Sequence, residues 1–186
     1  GGLGNQLFII AFAYKLYLEE NAQAEIVLDV REYEKYKIRN FELLDILEDK
    51  NVRLYDKKSD YSLKYEITRK LYHVIQKFIS PQQKMNQFLS EKGYYYSKRS
   101  ARGYCGSKAK NIYVYGYFQD AQMAFESKDI LLKHLKLSNK YKINKNEKYI
   151  AVSIRCGNDY ILQGWPICSE GYFRNALCEI IQKNSE

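Results

Sequence analysis

The stretch that decides the fold is GGLGNQLF at residues 1–8. Apolar side chains recur at helical spacing behind the glycines, which predicts a helix over residues 5–20 with Asn5 as its N-cap. The run EIVLDV at residues 25–30 is rich in β-formers and predicts a strand that ends at Asp29. A glycine turn, a helix and a strand in this order are typical of an α/β unit.

Similar patterns continue along the chain. They predict a helix over residues 61–79, a strand over 112–118, a helix over 120–137, a buried strand of the parallel type over 148–155 and a last helix over 169–183. The polar segment 138–148 has no apolar period and indicates a linker. We therefore predict one domain over residues 1–140 and the start of a second over 141–186.

The composition limits the class of protein. With 46% hydrophobic residues and 19 tyrosines in 186 residues, a buried core is expected and disorder is not. The net charge of +8 favours an anionic partner, which could be nucleic acid, an acidic membrane or a phosphorylated substrate. A lysine-rich surface without such a partner is the alternative.

Cysteine spacing and the chain ends suggest the cellular setting. Four separated cysteines without a CxxC pair argue against a zinc knuckle and indicate reduced thiols in a cytoplasm. No apolar run approaches the roughly 20 residues that span a bilayer. Because no methionine starts the sequence and no strand precedes the glycines, we expect a chain that is cut at both ends.

The glycine loop is the first candidate site. Gly2 and Gly4 allow positive φ and a close approach of a ligand to the backbone. The helix start behind them offers N–H groups and a positive dipole end, which suit a phosphate or another oxygen-rich group. The spacing is neither a P-loop nor G-x-G-x-x-G, so a plain tight turn is the alternative.

The second candidate site is SIRCGNDY at residues 153–160, behind the predicted buried strand. Ligands of open α/β sheets bind at the carboxyl ends of strands. There Arg155 matches a pyrophosphate with its fork of donors, and Asp159 could orient that arginine or bond a ribose. A structural Arg–Asp pair that closes the loop is the alternative.

Other ionisable residues carry weaker signals. The sequence contains no D-x-D, so arginine and helix N-termini would have to neutralise a leaving diphosphate. His73 and His134 fall inside predicted helices, which favours packing or surface roles over a general base. Asp29 is the candidate base because it ends its strand.

The helix predicted over residues 61–79 is amphipathic. Leu63, Ile67 and Leu71 share one side with further apolar residues, and the other side is basic. Such a helix could lie on a membrane. We favour the alternative of an ordinary surface helix with its apolar side on the core.

Several segments together resemble the bacterial-type α-1,2-fucosyltransferase family. They keep the family's order: GGLGNQLF at residues 1–8, GYFQ at 116–119, VSIRCGNDY at 152–160 beside the family's H-x-R-R-G-D-Y, Ile167-Cys168-Ser169, and Tyr172-Phe173. The family's later donor-domain motifs are missing. The resemblance therefore covers a first domain and the beginning of a second.

The resemblance implies a metal-independent, inverting GT-B glycosyltransferase with two Rossmann-like domains and no cofactor. Its donor would be GDP-fucose and its acceptor the 2-hydroxyl of a galactose-terminated surface glycan, which could be lipid-linked, with no nucleic acid partner. Arg155, Asp159, Gly2 and Gly4 would bind the donor, and Asn5 would lie near the reacting groups. A cytoplasmic location, peripheral on the inner face of the membrane, would suit such an enzyme.

Three residues depart from the family's motif. Ser153 stands where the family often has histidine, Cys156 replaces the second arginine, and Asn158 is an insertion before Asp159. One phosphate ligand is therefore lost or supplied from elsewhere, which leaves a different GDP-sugar or acceptor hydroxyl open. A non-enzymatic binder of RNA or acidic glycan, with lysines among tyrosines, is the alternative of another class.

Overall fold

The structure is a computed structural model that describes residues 2–19, 24–35, 39–78, 83–97, 104–136, 149–150, 152–154 and 157–184. The chain divides into two compact units, Gly1–Asn139 and Lys140–Glu186. This division falls one residue before the boundary expected from the sequence. The assignment of the two units to domains stays a prediction, and the linker at 138–148 lies outside the described residues.

Both units combine short elements. The first contains α1 (Leu3–Glu19), β1 (Ile26–Leu28), α2 (Arg31–Lys35), α3 (Leu43–Ile46), β2 (Val52–Leu54), α4 (Leu63–Phe78), α5 (Gln83–Glu91), β3 (Tyr94–Ser97), β4 (Tyr113–Gly116), α6 (Ala121–Glu126) and α7 (Lys128–His134). The second contains α8 (Asn158–Leu162) and α9 (Glu170–Lys183). A mixed α/β composition is thus confirmed.

The described strands form two parallel pairs. In one sheet β1 pairs with β2, with Ile26 opposite Val52, and in the other β3 pairs with β4, with Tyr94 opposite Tyr113. Parallel pairing is typical of α/β folds, because the connection must cross over the sheet. Two-stranded sheets do not establish a Rossmann-like domain, so the GT-B architecture stays a prediction.

Helix α1 separates two hydrophobic cores. Ile10 and Tyr14 pack on one side with residues of β1 and α3, while Phe12 packs on the other with Tyr95 and Phe118. The rings of Phe12 and Phe118 stack with their centroids 4.3 Å apart. A helix that is apolar nearly all round is expected to be buried on several sides, and α1 fits that rule.

The start of α1 corrects one expectation. The N–H groups of Asn5 and Gln6 both donate to the carbonyl oxygen of Gly2, at 2.9 and 3.2 Å. The helix therefore begins at Leu3, and Asn5 lies in its first turn instead of capping it. The glycines before it allow the backbone to enter the helix earlier than the apolar period indicates.

Three further predicted elements are present in shorter or divided form. The strand over 112–118 and the helix over 169–183 are confirmed in shorter form as β4 and α9. The helix over 120–137 is wrong in part, because Ser127 interrupts it. Its buried hydroxyl donates to the carbonyl oxygen of Met123 at 3.0 Å and ends α6 before α7 begins.

The buried strand predicted over 148–155 is a further error at its described residues. Residues 149–150 and 152–154 are not in a strand, and the side chains of Ile150, Val152 and Ile154 are exposed. An apolar run forms a parallel strand only where a neighbouring strand accepts its hydrogen bonds. Among the described residues of the second unit no strand is present to do so.

Candidate functional site

The N-terminal turn of α1 is the centre of the candidate site in the first unit. Gly4 is exposed, and a Cβ atom added there would meet no atom within 4 Å. Neither Gly2 nor Gly4 is among the described glycines with positive φ, so neither uses the conformation that a glycine allows. Gly4 leaves open space beside the start of the helix.

Arg39 lies beside this turn, which the sequence did not indicate. A Cβ atom on Gly2 would come within 2.8 Å of Arg39 Nη1. The absence of a side chain at Gly2 therefore lets the guanidinium approach the helix start. A cation and the positive end of a helix dipole at one place favour an anionic group.

Gln6 positions the segment that carries Arg39. Its side chain is buried, its Nε2 donates to the carbonyl oxygen of Asn40 at 3.0 Å, and its Oε1 accepts from the N–H groups of Glu42 and Leu43 at 3.0 and 2.9 Å. One glutamine thus ties the first turn of α1 to the start of α3. Sequence reasoning missed this role, because a polar residue in a helix gives no sign that it will be buried.

The GYFQ segment reaches the same turn from the other side. Gly116 has φ 153°, and a Cβ atom there would lie 1.7 Å from the carbonyl oxygen of Ser97. Buried Phe118 has φ 50°, an uncommon conformation for a residue with a side chain. These constraints direct the chain so that Gln119 Nε2 donates to Asn5 Oδ1 at 2.7 Å.

Two tyrosines belong to the same neighbourhood. Burial and the nearby Tyr117 raise the pKa of Tyr33, while a hydrogen bond with Gln6 and the charge of Arg39 oppose the rise. Tyr117 is exposed. The turn of α1 is therefore bordered by hydroxyl, amide and guanidinium groups, which suit the many hydroxyl and phosphate oxygens of a sugar nucleotide.

Asp29 follows β1, as expected, but Arg31 engages both of its carboxylate oxygens. Arg31 Nε donates to Oδ1 at 2.8 Å and Arg31 Nη2 donates to Oδ2 at 2.5 Å. Arg31 also donates to Glu66 at 2.6 Å and lies over the ring of Tyr55, 4.3 Å from its centroid. The hydrogen bond with Asp29 raises the pKa of Arg31 above its usual range, so the guanidinium stays charged. These contacts support a structural role for Asp29, and its role as a base stays a prediction.

The structure describes the donor residues predicted in the second unit only in part. Arg155 and Cys156 lie outside the described residues. Asp159 is in the first turn of α8, behind the N-cap Gly157, and its side chain is not among the described groups. Their contacts with a diphosphate therefore stay predictions.

His134 packs in the first unit instead of lining the candidate site. Its ring stacks on Tyr14 with centroids 5.7 Å apart, and its Nδ1 is 3.1 Å from the carbonyl oxygen of Glu48. Tyr14 donates its hydroxyl hydrogen to Asp49 at 2.8 Å. The packing role favoured for His134 agrees with these contacts, while the side chain of His73 lies outside the described groups.

The described residues offer neither a metal site nor a membrane-spanning helix. There, no three histidine, cysteine, aspartate or glutamate side chains are grouped so that they could hold a metal ion. No described helix combines the length and the apolar character that a membrane crossing requires. Independence from metals stays a prediction.

A known protein family matches this chain. The family model described as Glycosyl transferase family 11 matches residues 1–186, which is the whole chain. No curated protein and no solved structure matches it.

Proposed function

The chain belongs to glycosyl transferase family 11, and we propose that it transfers L-fucose from GDP-fucose to the 2-hydroxyl of a galactoside, forming an α-1,2 linkage in a surface glycan. Family membership supports a transferase with a sugar donor and a glycan acceptor over a basic RNA- or glycan-binding domain. The fucosyl donor, the linkage and the galactose acceptor are the proposal.

One observation carries the proposal: the 2.7 Å hydrogen bond between Gln119 and Asn5. It joins the two segments of the first unit whose residues resemble the family, although they are 114 residues apart. The exposed Gly4 leaves room beside this pair. A sugar ring could therefore lie against the turn of α1 and meet amide groups there.

The proposed reaction is a single in-line displacement. The acceptor oxygen attacks the anomeric carbon of fucose, the bond from that carbon to the phosphate oxygen breaks, and GDP leaves with the electron pair. The proton of the acceptor hydroxyl passes to a base, for which Asp29 is our candidate. Arg31 donates to Oδ1 of Asp29 from its backbone N–H and its Nε, and to Oδ2 from its Nη2, and these bonds hold the carboxylate in a fixed orientation.

Asn5 has a different part in this reaction. Its Oδ1 accepts from Gln119, which orients the amide and leaves the two hydrogens of Nδ2 for other acceptors. An amide is not a base near neutral pH. We therefore propose that Asn5 donates a hydrogen bond to the donor sugar or to the leaving phosphate.

Charge on the leaving diphosphate is proposed to be met by arginine in place of a metal ion. Arg155 would bind the diphosphate with its planar fork, and Asp159 would orient it. Gly2 and Gly4 would let the donor approach the helix start. Arg155→Ala in the full-length protein should lower the rate of transfer about 100-fold or more, as loss of a charge-stabilising donor usually does.

The decisive experiment uses the full-length protein, a panel of nucleotide sugars and galactose-terminated acceptors. Release of GDP from GDP-fucose, with an α-1,2 linkage in the product, would support the proposal. Turnover of another GDP-sugar alone would favour the alternative donor that Cys156 leaves open. Near-normal transfer by Arg155→Ala would remove that arginine from its proposed role.

The proposed location is the cytoplasm, peripheral on the inner face of the cytoplasmic membrane, where a lipid-linked acceptor would be reached. The net charge of +8 suits an acidic surface. Transfer to a lipid-linked galactoside that greatly exceeds transfer to the free sugar would support this location.

A further inference from the structure

Helix α4 contacts the rest of the first unit through the side that carries Tyr65 and polar residues. Tyr65 stacks on Tyr113 with ring centroids 4.7 Å apart, and Glu66 accepts a hydrogen bond from Arg31 at 2.6 Å. Thr68 and Tyr65 line a small pocket together with tyrosines of β3 and β4. These contacts, which lie within residues 65–68, fix the rotation of this part of the helix about its axis.

The apolar side of α4 consequently faces away from the unit. Leu63, Ile67, Leu71 and Val74 are 60%, 48%, 56% and 57% exposed. Their spacing places them in one stripe along the helix, about 16 Å long at 1.5 Å per residue. Surface helices commonly bury such a stripe against the core, whereas these four side chains of α4 are exposed.

Basic residues accompany this stripe. Lys64 and Lys70 are both exposed, and helical spacing places one on each side of the stripe. Its acidic residue, Glu66, is paired with Arg31, and the Nζ of Lys64, at the edge of the stripe, lies 5.6 Å from the ring centroid of Tyr94. The outward side of α4 therefore combines exposed aliphatic groups with the positive charges of Lys64 and Lys70.

We propose that α4 docks on an acidic lipid bilayer. The helix would lie parallel to the membrane surface, with the stripe in the interface and the lysines at the level of the lipid phosphates. Tyr61, which is exposed just before the helix, would lie at the same level, where tyrosine is enriched. This surface goes beyond the transferase reaction and would explain the proposed peripheral location.

The shape and charge of the surface favour a membrane over a second copy of the chain. A stable protein interface buries about 800 Å² on each partner, and a stripe one side chain wide is narrow for that purpose. Two copies that met through the stripe would also bring Lys64 and Lys70 of each copy near those of the other. Anionic lipid instead neutralises these charges.

The test measures binding of the full-length protein to vesicles of phosphatidylcholine alone and to vesicles with about one third phosphatidylglycerol. We expect binding to the acidic vesicles that weakens as salt is raised, because salt screens exposed charges. The double variant Ile67→Gln/Leu71→Gln should bind at least about tenfold more weakly, since two apolar side chains no longer leave water. Lys64→Gln and Lys70→Gln should each weaken binding about fivefold.

Matched controls separate the surface from a general loss of structure. Phe125→Gln/Leu132→Gln removes two exposed apolar side chains from α6 and α7, and Lys128→Gln removes an exposed charge there. These variants should bind the acidic vesicles like the unchanged protein. Glutamine is a good helix former, so none of the helices should be lost.

Several outcomes would overturn the proposal. They are absence of binding to acidic vesicles, equal loss in the control variants, or a salt-sensitive dimer that the Ile67→Gln/Leu71→Gln variant abolishes without any vesicle binding. Transfer to a soluble galactoside is measured on the same variants. Unchanged transfer with lost vesicle binding would support the docking surface, and vesicle binding without any transfer would contradict only the proposed function.

Discussion

Helices α1 and α4 have nearly the same length, 17 and 16 residues, and use their apolar side chains in opposite ways. Helix α1 is apolar nearly all round and lies between two cores, where Ile10 and Phe12 are fully buried. Helix α4 has a clear apolar stripe, yet Leu71 and its neighbours in the stripe remain exposed. The difference teaches that periodicity shows which residues share a side of a helix, while the surrounding elements decide which side is buried.

The surroundings that decide this for α4 are the tyrosines of β3 and β4. Tyr94, Tyr96, Tyr113 and Tyr115 alternate with Tyr95 and Val114 along the strands, so one side of the sheet is made of phenol rings. Phenol rings stack well with the ring of Tyr65 and with cations such as that of Lys64, whose Nζ is 5.6 Å from the centroid of Tyr94. The polar side of α4 consequently finds partners there.

The largest expected effect is at the buried centre of α1. Phe12→Ala should lower the free energy of unfolding by about 3–5 kcal/mol, because it leaves a cavity among Tyr95, Tyr104 and Phe118. Denaturant unfolding of the full-length protein measures it. Phe12→Leu, which keeps most of the volume, should cost clearly less. A loss below about 1 kcal/mol in Phe12→Ala would contradict the buried position of α1.

A smaller loss is expected at Gln6, the buried polar residue of α1. Gln6→Ala should cost about 2–3 kcal/mol, because the buried N–H of Leu43 and its neighbours lose their acceptor. Gln6→Glu keeps an acceptor for Glu42 and Leu43 and loses the donor to Asn40, so its cost should differ from that of alanine. Thermal unfolding measures both variants. Equal stability of all three proteins would show that this anchor is dispensable.

The exposed end of α1 should affect turnover instead of stability. Gln119→Ala should lower kcat of the proposed transfer about fivefold, because Asn5 loses an orienting hydrogen bond worth about 1 kcal/mol. Melting temperature should stay unchanged, since the bond is exposed. A double-mutant cycle with Asn5→Ala tests the coupling. Additive effects of the two substitutions would show that Gln119 does not act through Asn5.

The smallest effect is expected on the stripe of α4. Leu71→Ala should change the free energy of unfolding by less than about 0.5 kcal/mol, because its side chain is already exposed and alanine favours the helix. The same change in a buried leucine, Leu43→Ala, should cost about 2–5 kcal/mol. Denaturant midpoints of the two variants give the comparison directly. Similar losses at both positions would mean that α4 buries its stripe after all.

Local elements were predictable where one signal dominates. The helix over residues 61–79 and the last helix follow from apolar spacing, and β1 follows from its β-branched run before Asp29. The strand over 148–155 failed because an apolar run contains no information on whether a partner strand lies beside it. The break at Ser127 failed because a serine hydroxyl that bonds back to its own helix looks like any other polar residue in the sequence.

The candidate site was predictable in its parts and not in its assembly. Asn5 and Gln119 could be singled out by their resemblance to one family, yet no pattern indicates that their amides are 2.7 Å apart. Arg39 had no sequence signal at all, because its segment is positioned through the buried side chain of Gln6. Contacts between residues far apart in sequence depend on the fold as a whole.

By itself, the sequence determined the long helices α1, α4 and α9, the α/β composition and, through its motifs, membership of glycosyl transferase family 11. Those properties depend on local spacing and on the identity of single residues. Only the tertiary structure decided that α1 is buried on two sides, that Arg39 and Gln119 meet its first turn, and that the stripe of α4 faces outward. The physical reason is that burial depends on what packs against each side of a helix, and distant parts of the chain supply those neighbours.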